Sequence, residues 1–324
     1  MPAYTAEEIK LLLRIPGRSR MEQDIWDSLN PRVVAVESRL SIAPTLFVDT
    51  VNGVDTADGL TPSAAKLTMA GALAAAQSGS EIFFCGNIRE EITASNLLED
   101  ITIIGMANRP RHADHARDGI GTVSGASWRE AASHGATTPL LKIRAQGWNL
   151  VNFLMDAPSD AAGIYLERNA LSGASEYDAS HLTCRNMRFV GGQSGIEDAG
   201  GAFNVSLRDC IFQSLTDGIK SLNSGVDIAN HWDLWDCKFI GNTHNIRVSA
   251  YKWLIRESVF GEVGSAPNID LSFLAGNTAG EVLNVITRNL LAGTYNNTNY
   301  IEGGGNTDEW AGNSNVAGET TAQP

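Results

Sequence analysis

The stretch LTCRNMRFVGGQSGIEDAGGAFNVSLRDCIFQSLTDGIKSL, residues 182–222, states nearly the same pattern twice. The segment Arg185-Asn186-Met187-Arg188-Phe189 is followed by Gly195-Ile196. Starting 23 residues later, Arg208-Asp209-Cys210-Ile211-Phe212 is followed by Gly218-Ile219. Self-similarity at a period of roughly 20 to 50 residues is the signature of solenoids and other repeat architectures. The stretch therefore predicts a repeat protein.

The pattern extends to five copies, each with two apolar residues at alternate positions, a polar residue and an apolar or aromatic one, and it recurs more weakly in a sixth. The copies are Trp148/Leu150/Asn152/Met155, Leu182/Cys184/Asn186/Phe189, Val205/Leu207/Asp209/Phe212, Trp232/Leu234/Asp236/Phe239, Trp253/Ile255/Glu257/Phe260 and Val285/Thr287/Asn289. A column of isoleucines keeps step with them: Ile164, Ile196, Ile219, Ile246, Ile269 and Ile301. Alternation of period two predicts strands, and unequal spacings suit a coil with loops of variable length. We predict an all-β chain, a single-stranded parallel β-helix filled by apolar ladders.

Residues 47–92 resemble the opening segment of right-handed parallel β-helix proteins of the pectate-lyase-like superfamily. The residues that carry the resemblance are Asp58-Gly59, Thr61-Pro62, the alanine-rich run 64–76 and Gly79-Ser80-Glu81-Ile82. The resemblance implies a right-handed coil closed at its start by a capping helix, for which Thr61 is the expected N-cap and Pro62 the first helical residue. This fold hosts lyases, hydrolases, epimerases and structural adhesins, so it does not define an activity.

The chain divides by composition into an N-terminal anchoring and oligomerisation segment (1–45), the β-helix (46–302) and a polar C-terminal tail (303–324). Within the first segment, apolar residues at helical spacing form a stripe: Ile25, Leu29, Val33, Val36 and Leu40. The stripe either packs on its own domain or forms a short bundle between subunits. The order of parts resembles bacteriophage tailspikes and capsid spikes. That resemblance implies a homotrimer on the virion surface, with residues 1–45 bound to other virion proteins.

Composition excludes several classes of partner. The 324-residue chain has a formal net charge of −13, which disfavours nucleic acid and anionic membranes because both attract clustered Lys and Arg. No run of about 18 apolar residues and no signal peptide is found, so neither membrane insertion nor export is expected. The four cysteines lack CxxC spacing and predict buried thiols, with a Cys210–Cys237 disulfide as the alternative. No cofactor motif is present.

Candidate catalytic residues form one column, because adjacent parallel strands lie about 4.8 Å apart. Asp209, Asp236 and Glu257 are the candidates, flanked by Asn186 and Asn289. Carboxylates one or two rungs apart suit the spacing of glycosidase pairs. The alternative is a salt-bridge ladder with the arginines that precede the polar position: Arg185, Arg208, Arg256 and Arg288.

Other candidates lie outside this column. Trp235 is predicted to point outward and to contact a sugar, with Arg208 and Arg256 as further carbohydrate-binding residues, whereas Trp232 and Trp253 are predicted to pack inside. The acids beside the Gly-Ile corners (Glu197, Asp198 and Asp217) are either loop carboxylates or solvated turn residues. The segment with His112, Asp114, His115 and Asp118 is a weak metal candidate, best interpreted as an exposed loop, and no metal is predicted.

We therefore expect a bacteriophage virion structural protein, a spike or capsid-decorating protein that binds host-surface glycans and needs no catalytic residues. The alternative is a tailspike depolymerase, a hydrolase or lyase acting on capsule or lipopolysaccharide. A stand-alone bacterial lyase is disfavoured, because no signal peptide is found. An enzyme should show the acidic column unpaired in a groove beside aromatics, and an adhesin should show it neutralised by arginines.

Overall fold

The computed structural model describes residues 43–106, 125–131, 137–167, 179–199, 202–221, 229–261, 269–271, 284–292, 300–301 and 309–315. All of them belong to the second of two compact units of the chain, Ala43–Pro324. The predicted helical stripe between Ile25 and Leu40 and the loop with His112 and His115 lie outside these ranges.

The described elements are β1 (Thr45–Asp49), a 3-10 helix (Pro62–Ala64), α1 (Met69–Ala75), β2 (Glu81–Ile88), β3 (Ile92–Thr93), β4 (Thr102–Gly105), β5 (Ala126–Arg129), β6 (Leu141–Ile143), β7 (Asn149–Val151), β8 (Leu154–Asp156), β9 (Ala162–Leu166), β10 (Thr183–Arg185), β11 (Arg188–Val190), β12 (Ser194–Asp198), β13 (Ser206–Arg208), β14 (Ile211–Gln213), β15 (Asp217–Ser221), β16 (Ala229–Asn230), β17 (Asp233–Trp235), β18 (Lys238–Ile240), β19 (His244–Arg247), β20 (Ala250–Tyr251), β21 (Leu254–Arg256), β22 (Val259–Phe260), β23 (Ile269–Asp270), β24 (Val285–Thr287), β25 (Leu290–Leu291), β26 (Tyr300–Ile301), β27 (Glu309–Ala311) and β28 (Ser314–Asn315).

The strands stack into three long parallel faces. Face A contains β1, β2, β4, β7, β10, β13, β17, β21, β24 and β27. Face B contains the end of β2 and then β5, β8, β11, β14, β18, β22, β25 and β28. Face C contains β3, β6, β9, β12, β15, β19, β23 and β26. Because successive turns of the chain supply successive strands to each face, the chain forms a parallel β-helix, and the predicted fold is confirmed.

Stacked ladders fill the interior, because alternate residues of each strand point inward. Phe189, Phe212, Phe239 and Phe260 stack with 4.8 Å between neighbouring ring centroids, one ring per rung. Trp232 and Trp253 stack at the same 4.8 Å and are fully buried, as predicted. Five isoleucines of the predicted column are buried and in register on face C: Ile164, Ile196, Ile219, Ile246 and Ile269. The sixth is wrong by one residue, because Tyr300 pairs with Ile269 and Ile301 pairs with Asp270. Because inward and outward residues alternate along each strand, the stacking of the inward residues also brings the outward side chains of successive rungs into register.

From β7 onward, a left-handed residue makes each described corner between face A and face B. The corner residues, all with positive φ, are Asn152, Asn186, Asp209, Asp236, Glu257, Arg288 and Gly312. The predicted polar column is therefore a backbone requirement, since Asn, Asp and Gly tolerate this conformation best. The prediction placed Asn289 in the column, which is wrong by one residue. Register pairs Thr287 with Arg256, so Arg288 is equivalent to Glu257.

Asn289 instead points inward and forms part of an asparagine ladder. Its Nδ2 donates to the carbonyl of Ile255 at 3.0 Å, and its Oδ1 accepts from the backbone of Ser258 at 2.9 Å. Asn313 repeats the arrangement one rung on, with its Oδ1 accepting from Asn289 N at 2.9 Å. The buried amides thereby bond main-chain groups at the corner, where the regular strand ladder is interrupted.

The capping helix is present, but it begins later than predicted. Thr61 precedes only the short 3-10 helix and makes no side-chain capping bond, because the chain then extends to pair Lys66 with Val48. Helix α1 is capped by Thr68, whose Oγ1 accepts from Gly71 N at 2.9 Å. The carboxylate of Glu90 accepts from the first two backbone N–H groups of the helix at 2.8 Å each. The helix buries Met69, Ala72 and Leu73 in the core cluster.

The cysteine thiols of the core are not oxidised. Cys210 and Cys237 are free and buried, so the alternative disulfide is not formed. The thiol of Cys210 donates to the carbonyl of Cys184 at 3.5 Å.

Strands β27 and β28 add a rung within the segment assigned to the polar tail. The partly buried Trp310 packs against the core there and contributes apolar contacts to this otherwise polar stretch.

Candidate functional site

The outer surface of face A carries a patch of three side chains, Arg208, Trp235 and Arg256, which we name the Arg–Trp patch. They are the last residues of β13, β17 and β21 and are paired in register. The residues before them are buried, so the alternation of the strands turns the patch outward. The sequence predicted all three as carbohydrate-binding residues, and the structure brings them together.

Trp235 is held between the two arginines. The guanidinium carbon of Arg208 lies 5.5 Å from the ring centroid, and that of Arg256 lies 5.2 Å from it. Because the arginines come from the rungs on either side, the two faces of the indole are covered. Trp235 remains 38% exposed. A ligand at this surface meets the edge of the ring and the donors of both guanidiniums, rather than an open aromatic face.

Two carboxylates fix the patch. Asp233 binds Arg256 through two contacts of 3.0 and 3.3 Å, and it lies 3.8 Å from Arg208 Nη2. Glu257 accepts a 2.8 Å hydrogen bond from the indole N–H of Trp235 and pairs with Arg288 at 2.6 Å. Exposed ion pairs contribute little stability individually. Their effect here is to orient three outward side chains.

The predicted catalytic column occupies the corner beside this patch. Asp209, Asp236 and Glu257 stand at equivalent positions of successive rungs, the first two half-buried and the third exposed. The structure thus brings the three together. For Glu257, the contacts match the neutralised alternative rather than an unpaired carboxylate. A corner role in the backbone accounts for the aspartates Asp209 and Asp236, whereas Glu257 is not a residue type that this conformation favours.

A second cluster, which the sequence did not assemble, lies on the outer surface of face C. We name Glu197, Asp217, Lys220, His244 and Arg247 the face C cluster. Register stacks Asp217 under His244, and it stacks Glu197, Lys220 and Arg247 in one outward row. Three bases surround Asp217: His244 Nδ1 at 3.1 Å, Arg247 Nη1 at 3.4 Å and Lys220 Nζ at 3.9 Å. The carboxylate itself is only 1% exposed.

Burial shifts the protonation of two members of the cluster. Desolvation, followed by the charge of Arg247, lowers the pKa of His244, although Asp217 opposes the shift. Desolvation raises the pKa of Glu197, and the positive charge of Lys220 and a hydrogen bond from Ser194 at 3.4 Å act against it. Both shifts favour the neutral form of the side chain.

A serine, a carboxylate and an imidazole also follow one another on face C, but in an order unsuited to nucleophilic catalysis. Ser194, Asp217 and His244 start three successive strands and are paired in register. The carboxylate lies between the hydroxyl and the imidazole, whereas a Ser-His-Asp relay needs the imidazole in the middle. The cluster is therefore suited to ion pairing and ligand binding rather than to activation of Ser194.

Sequence reasoning selected Glu197 and Asp217 only as acids beside corners, and it missed Lys220, His244 and Arg247. A usable signal was present, because the residue after each isoleucine of the column must point outward. Those residues are Tyr165, Glu197, Lys220, Arg247 and Asp270. The loop candidate around His112 lies outside the described ranges. Within those ranges, no group of three His, Cys, Asp or Glu side chains is arranged to hold a metal ion.

Comparison with known proteins places the fold but not the activity. No family model matches the chain, and no curated protein matches its sequence. The structure is similar to an alginate lyase from Paenibacillus sp. str. FPU-7, at a TM-score of 0.51 and 14% identity, over 84% of this chain and 95% of that chain. A GH136 lacto-N-biosidase from Eubacterium ramulus aligns with 90% of this chain and 70% of that chain, at 10% identity and a TM-score of 0.18. The first similarity supports the parallel β-helix, and the second is too weak to carry an argument.

In the described ranges, no helix has the length and apolar character to span a membrane.

Proposed function

We propose that this chain is a β-helical surface protein of a bacteriophage particle and that its Arg–Trp patch binds a host-surface glycan. The order of parts along the sequence supports the particle assignment, and the confirmed β-helix is consistent with it. Residues 1–45 are proposed to bind other virion proteins, and the particle form is proposed to be a homotrimer. The proposal requires no catalytic residue and no cofactor.

The observation that carries the glycan-binding proposal is the clamped, outward-facing Trp235. Saccharide ligands offer hydroxyl oxygens and, in many surface polysaccharides, carboxylates or phosphates. Arginine presents up to five N–H donors in a planar fork, which suits oxygen pairs of this kind. The patch presents two such forks on either side of an aromatic edge, with Asp233 and Glu257 fixing their orientation.

Binding is tested with a panel of purified capsular polysaccharides and lipopolysaccharides immobilised on sensors. We expect at least one to retain the wild-type chain and the Arg208→Ala/Arg256→Ala double variant to bind it about tenfold more weakly or worse. Lys238→Met, a loss of charge on face B, is the matched control and should bind as wild type. Equal retention of the double variant would place glycan binding elsewhere. Light scattering on the full chain tests the trimer, and a monomer would contradict it.

A second candidate function is cleavage of the bound glycan by the acidic column. The observation that favours it is contact between the column and the patch, since Glu257 bonds the indole of Trp235. Carboxylates one rung apart are spaced at about 4.8 Å, close to the ~5–5.5 Å of a retaining glycosidase pair. The similar structure named above is an alginate lyase, so this fold can carry polysaccharide cleavage. The test is release of reducing ends or unsaturated products from the bound polysaccharide, with Asp209→Asn/Asp236→Asn as the comparison.

A further inference from the structure

The face C cluster exposes hydrogen-bond donors to solvent, whereas the carboxylate that these donors contact is buried. The side chains of Lys220, Arg247 and His244 are 18%, 20% and 16% exposed. The carboxylate of Asp217, on which all three converge, is 1% exposed. The buried Asp217 carboxylate thus orients the side chains of Lys220, Arg247 and His244. Solvent meets the N–H groups of Lys220 and Arg247, which can bind an oxyanion; the two carboxylates of the cluster balance these two charges while Glu197 is ionised, and protonation of Glu197 removes one of the two negative charges.

We propose that the face C cluster binds the carboxylate of an acidic saccharide, with Lys220, His244 and Arg247 as the donors. The ligand class rests on the proposed function, but the site is separate, because the Arg–Trp patch lies on face A. Tyr165, in the same outward row, places an aromatic side chain two rungs from Lys220 for the body of the sugar. Nucleic acid is disfavoured as the occupant by the net charge of −13.

Glu197 gives this site a dependence on pH. The groups that face it are Tyr165 from β9, Ser194 from its own strand, and Lys220 and Asp217 from β15. An ionised Glu197 competes with the ligand for Lys220 and repels a carboxylate. A protonated Glu197 does neither, and the raised pKa keeps it protonated to a higher pH than an exposed glutamate.

Titration of His244 changes the affinity for a saccharide carboxylate in the same direction as titration of Glu197. Its imidazole gains a charge only as pH falls, and the lowered pKa delays that gain to more acidic conditions. Both titrations therefore strengthen binding of a saccharide carboxylate as pH decreases. The two contributions are separable, because Gln at position 197 reproduces the uncharged side chain at every pH and leaves His244 unchanged.

The test uses the full chain, a galacturonate oligosaccharide as the probe and its methyl ester as the matched neutral probe. Calorimetry or NMR titration is performed between about pH 5 and pH 8, a range that spans the ordinary imidazole pKa and reaches toward that of glutamate. We expect the acid to bind, the ester to bind about tenfold more weakly or not at all, and Lys220→Met to lose about tenfold. Glu197→Gln should bind as wild type does at the acidic end and should lose less affinity at higher pH. Lys238→Met is the charge-matched control.

The outcomes separate this inference from the proposed function. Equal binding of acid and ester, or unchanged binding by both Lys220→Met and Glu197→Gln, would overturn the face C site. Loss of binding in Arg208→Ala/Arg256→Ala but not in Lys220→Met would leave face A as the saccharide surface and reject face C. The reverse result would support face C and reject the Arg–Trp patch. Absence of binding to the acid at any pH would also reject the face C site, while the polysaccharide panel would still test face A.

Discussion

The guanidinium of Arg256 lies 5.2 Å from the ring centroid of Trp235 and is itself bound to Asp233 at 3.0 Å. The Asp233 carboxylate orients the Arg256 guanidinium toward the Trp235 ring. The contacts of Arg256 with Asp233 and with Trp235 should therefore be energetically linked. We predict a coupling of about 0.5–1 kcal/mol between Trp235→Ala and Arg256→Ala in a double-mutant cycle of unfolding free energies, typical of an exposed cation–π pair. Pairing Trp235→Ala with Lys238→Met, on face B, should give additive effects. Additivity in the first cycle would show that the stacked geometry stores no interaction energy.

The packing of Gly218 against the phenylalanine ladder predicts that two Gly→Ala variants differ in their effect on the stacked rings. A Cβ at Gly218 would lie 2.5 Å from the carbonyl oxygen of Asn245 and 3.0 Å from the ring of Phe239. Overpacking of this kind costs roughly 1–3 kcal/mol, and it should disturb the near-UV circular dichroism of the stacked rings. A Cβ at Gly241 meets nothing within 4 Å, although φ is +62°. Gly241→Ala should cost only the left-handed strain of about 1–2 kcal/mol and leave the near-UV spectrum intact. A changed spectrum in both variants would contradict this assignment.

The corner conformation of Asp236 predicts which replacements the acidic column tolerates. With φ at 49°, Asn should be accepted within about 0.5 kcal/mol, whereas Val should cost about 1–2 kcal/mol or more, because β-branched residues strongly disfavour this region. Denaturant unfolding of Asp236→Asn and Asp236→Val measures the difference. The same Asn variant keeps the fold for assays of product release, so a lost activity would then be chemical in origin. Equal stability of the two variants would disprove the backbone role.

Glu197 predicts a pH dependence of stability. Its pKa is raised in the folded chain, so between the unfolded and folded pKa values the folded state holds more protons. Stability from this group is therefore present at low pH and is lost as pH rises through that window. Glu197→Gln should remove the decline, and thermal unfolding of both proteins across a pH series measures it. A wild-type profile that the variant reproduces in full would assign the decline to other groups.

The cysteines predict a gradient of reactivity. Desolvation raises the pKa of Cys184 well above the usual thiol range, and that of Cys237 rises for the same reason. Thiolate is the reactive form, so Cys184 and Cys237 should resist alkylation in the folded chain at neutral pH. Cys210 should resist it because the side chain is fully buried. Cys85 is only partly buried and should react first. Mass spectrometry after a timed iodoacetamide pulse, with urea-unfolded chain as the fully reactive control, resolves the order.

The sequence predicted the coil because its interior repeats are local and strict. Residues such as Leu207 and Phe212 recur in register, and a fixed strand spacing converts that recurrence into ladders. The same logic failed at Asn289, which was expected in the polar column, whose positions the structure shows to be left-handed corners. Arg288 occupies that corner instead, because the asparagine gains more by bonding buried main-chain groups inside. Residue type alone does not distinguish these two uses of asparagine.

The candidate sites were predicted unequally for a related reason. The Arg–Trp patch follows from a single column, whose members differ by one rung and point outward by alternation. The face C cluster combines two columns, since Asp217 starts its strand and Lys220 lies three residues later. The carboxylate of Asp217 is buried because the long side chains of neighbouring rungs fold over it. The spacing of residues along the chain does not specify how those side chains fold. Single-column reasoning therefore found Asp217 without its bases.

Uniform ladders also bear on how such a chain can change length. Arg185 and Arg208 occupy equivalent positions in adjacent rungs. The rings of Phe189 and Phe212 stack at 4.8 Å, the same centroid distance as the other neighbouring rings of the ladder. Excision of one complete turn between them would bring Arg185 beside Trp235 and close the aromatic stack again. The near-repetition of residues 182–222 is then typical of a coil that can gain or lose whole turns, so that its length changes while each remaining turn keeps its own surface chemistry.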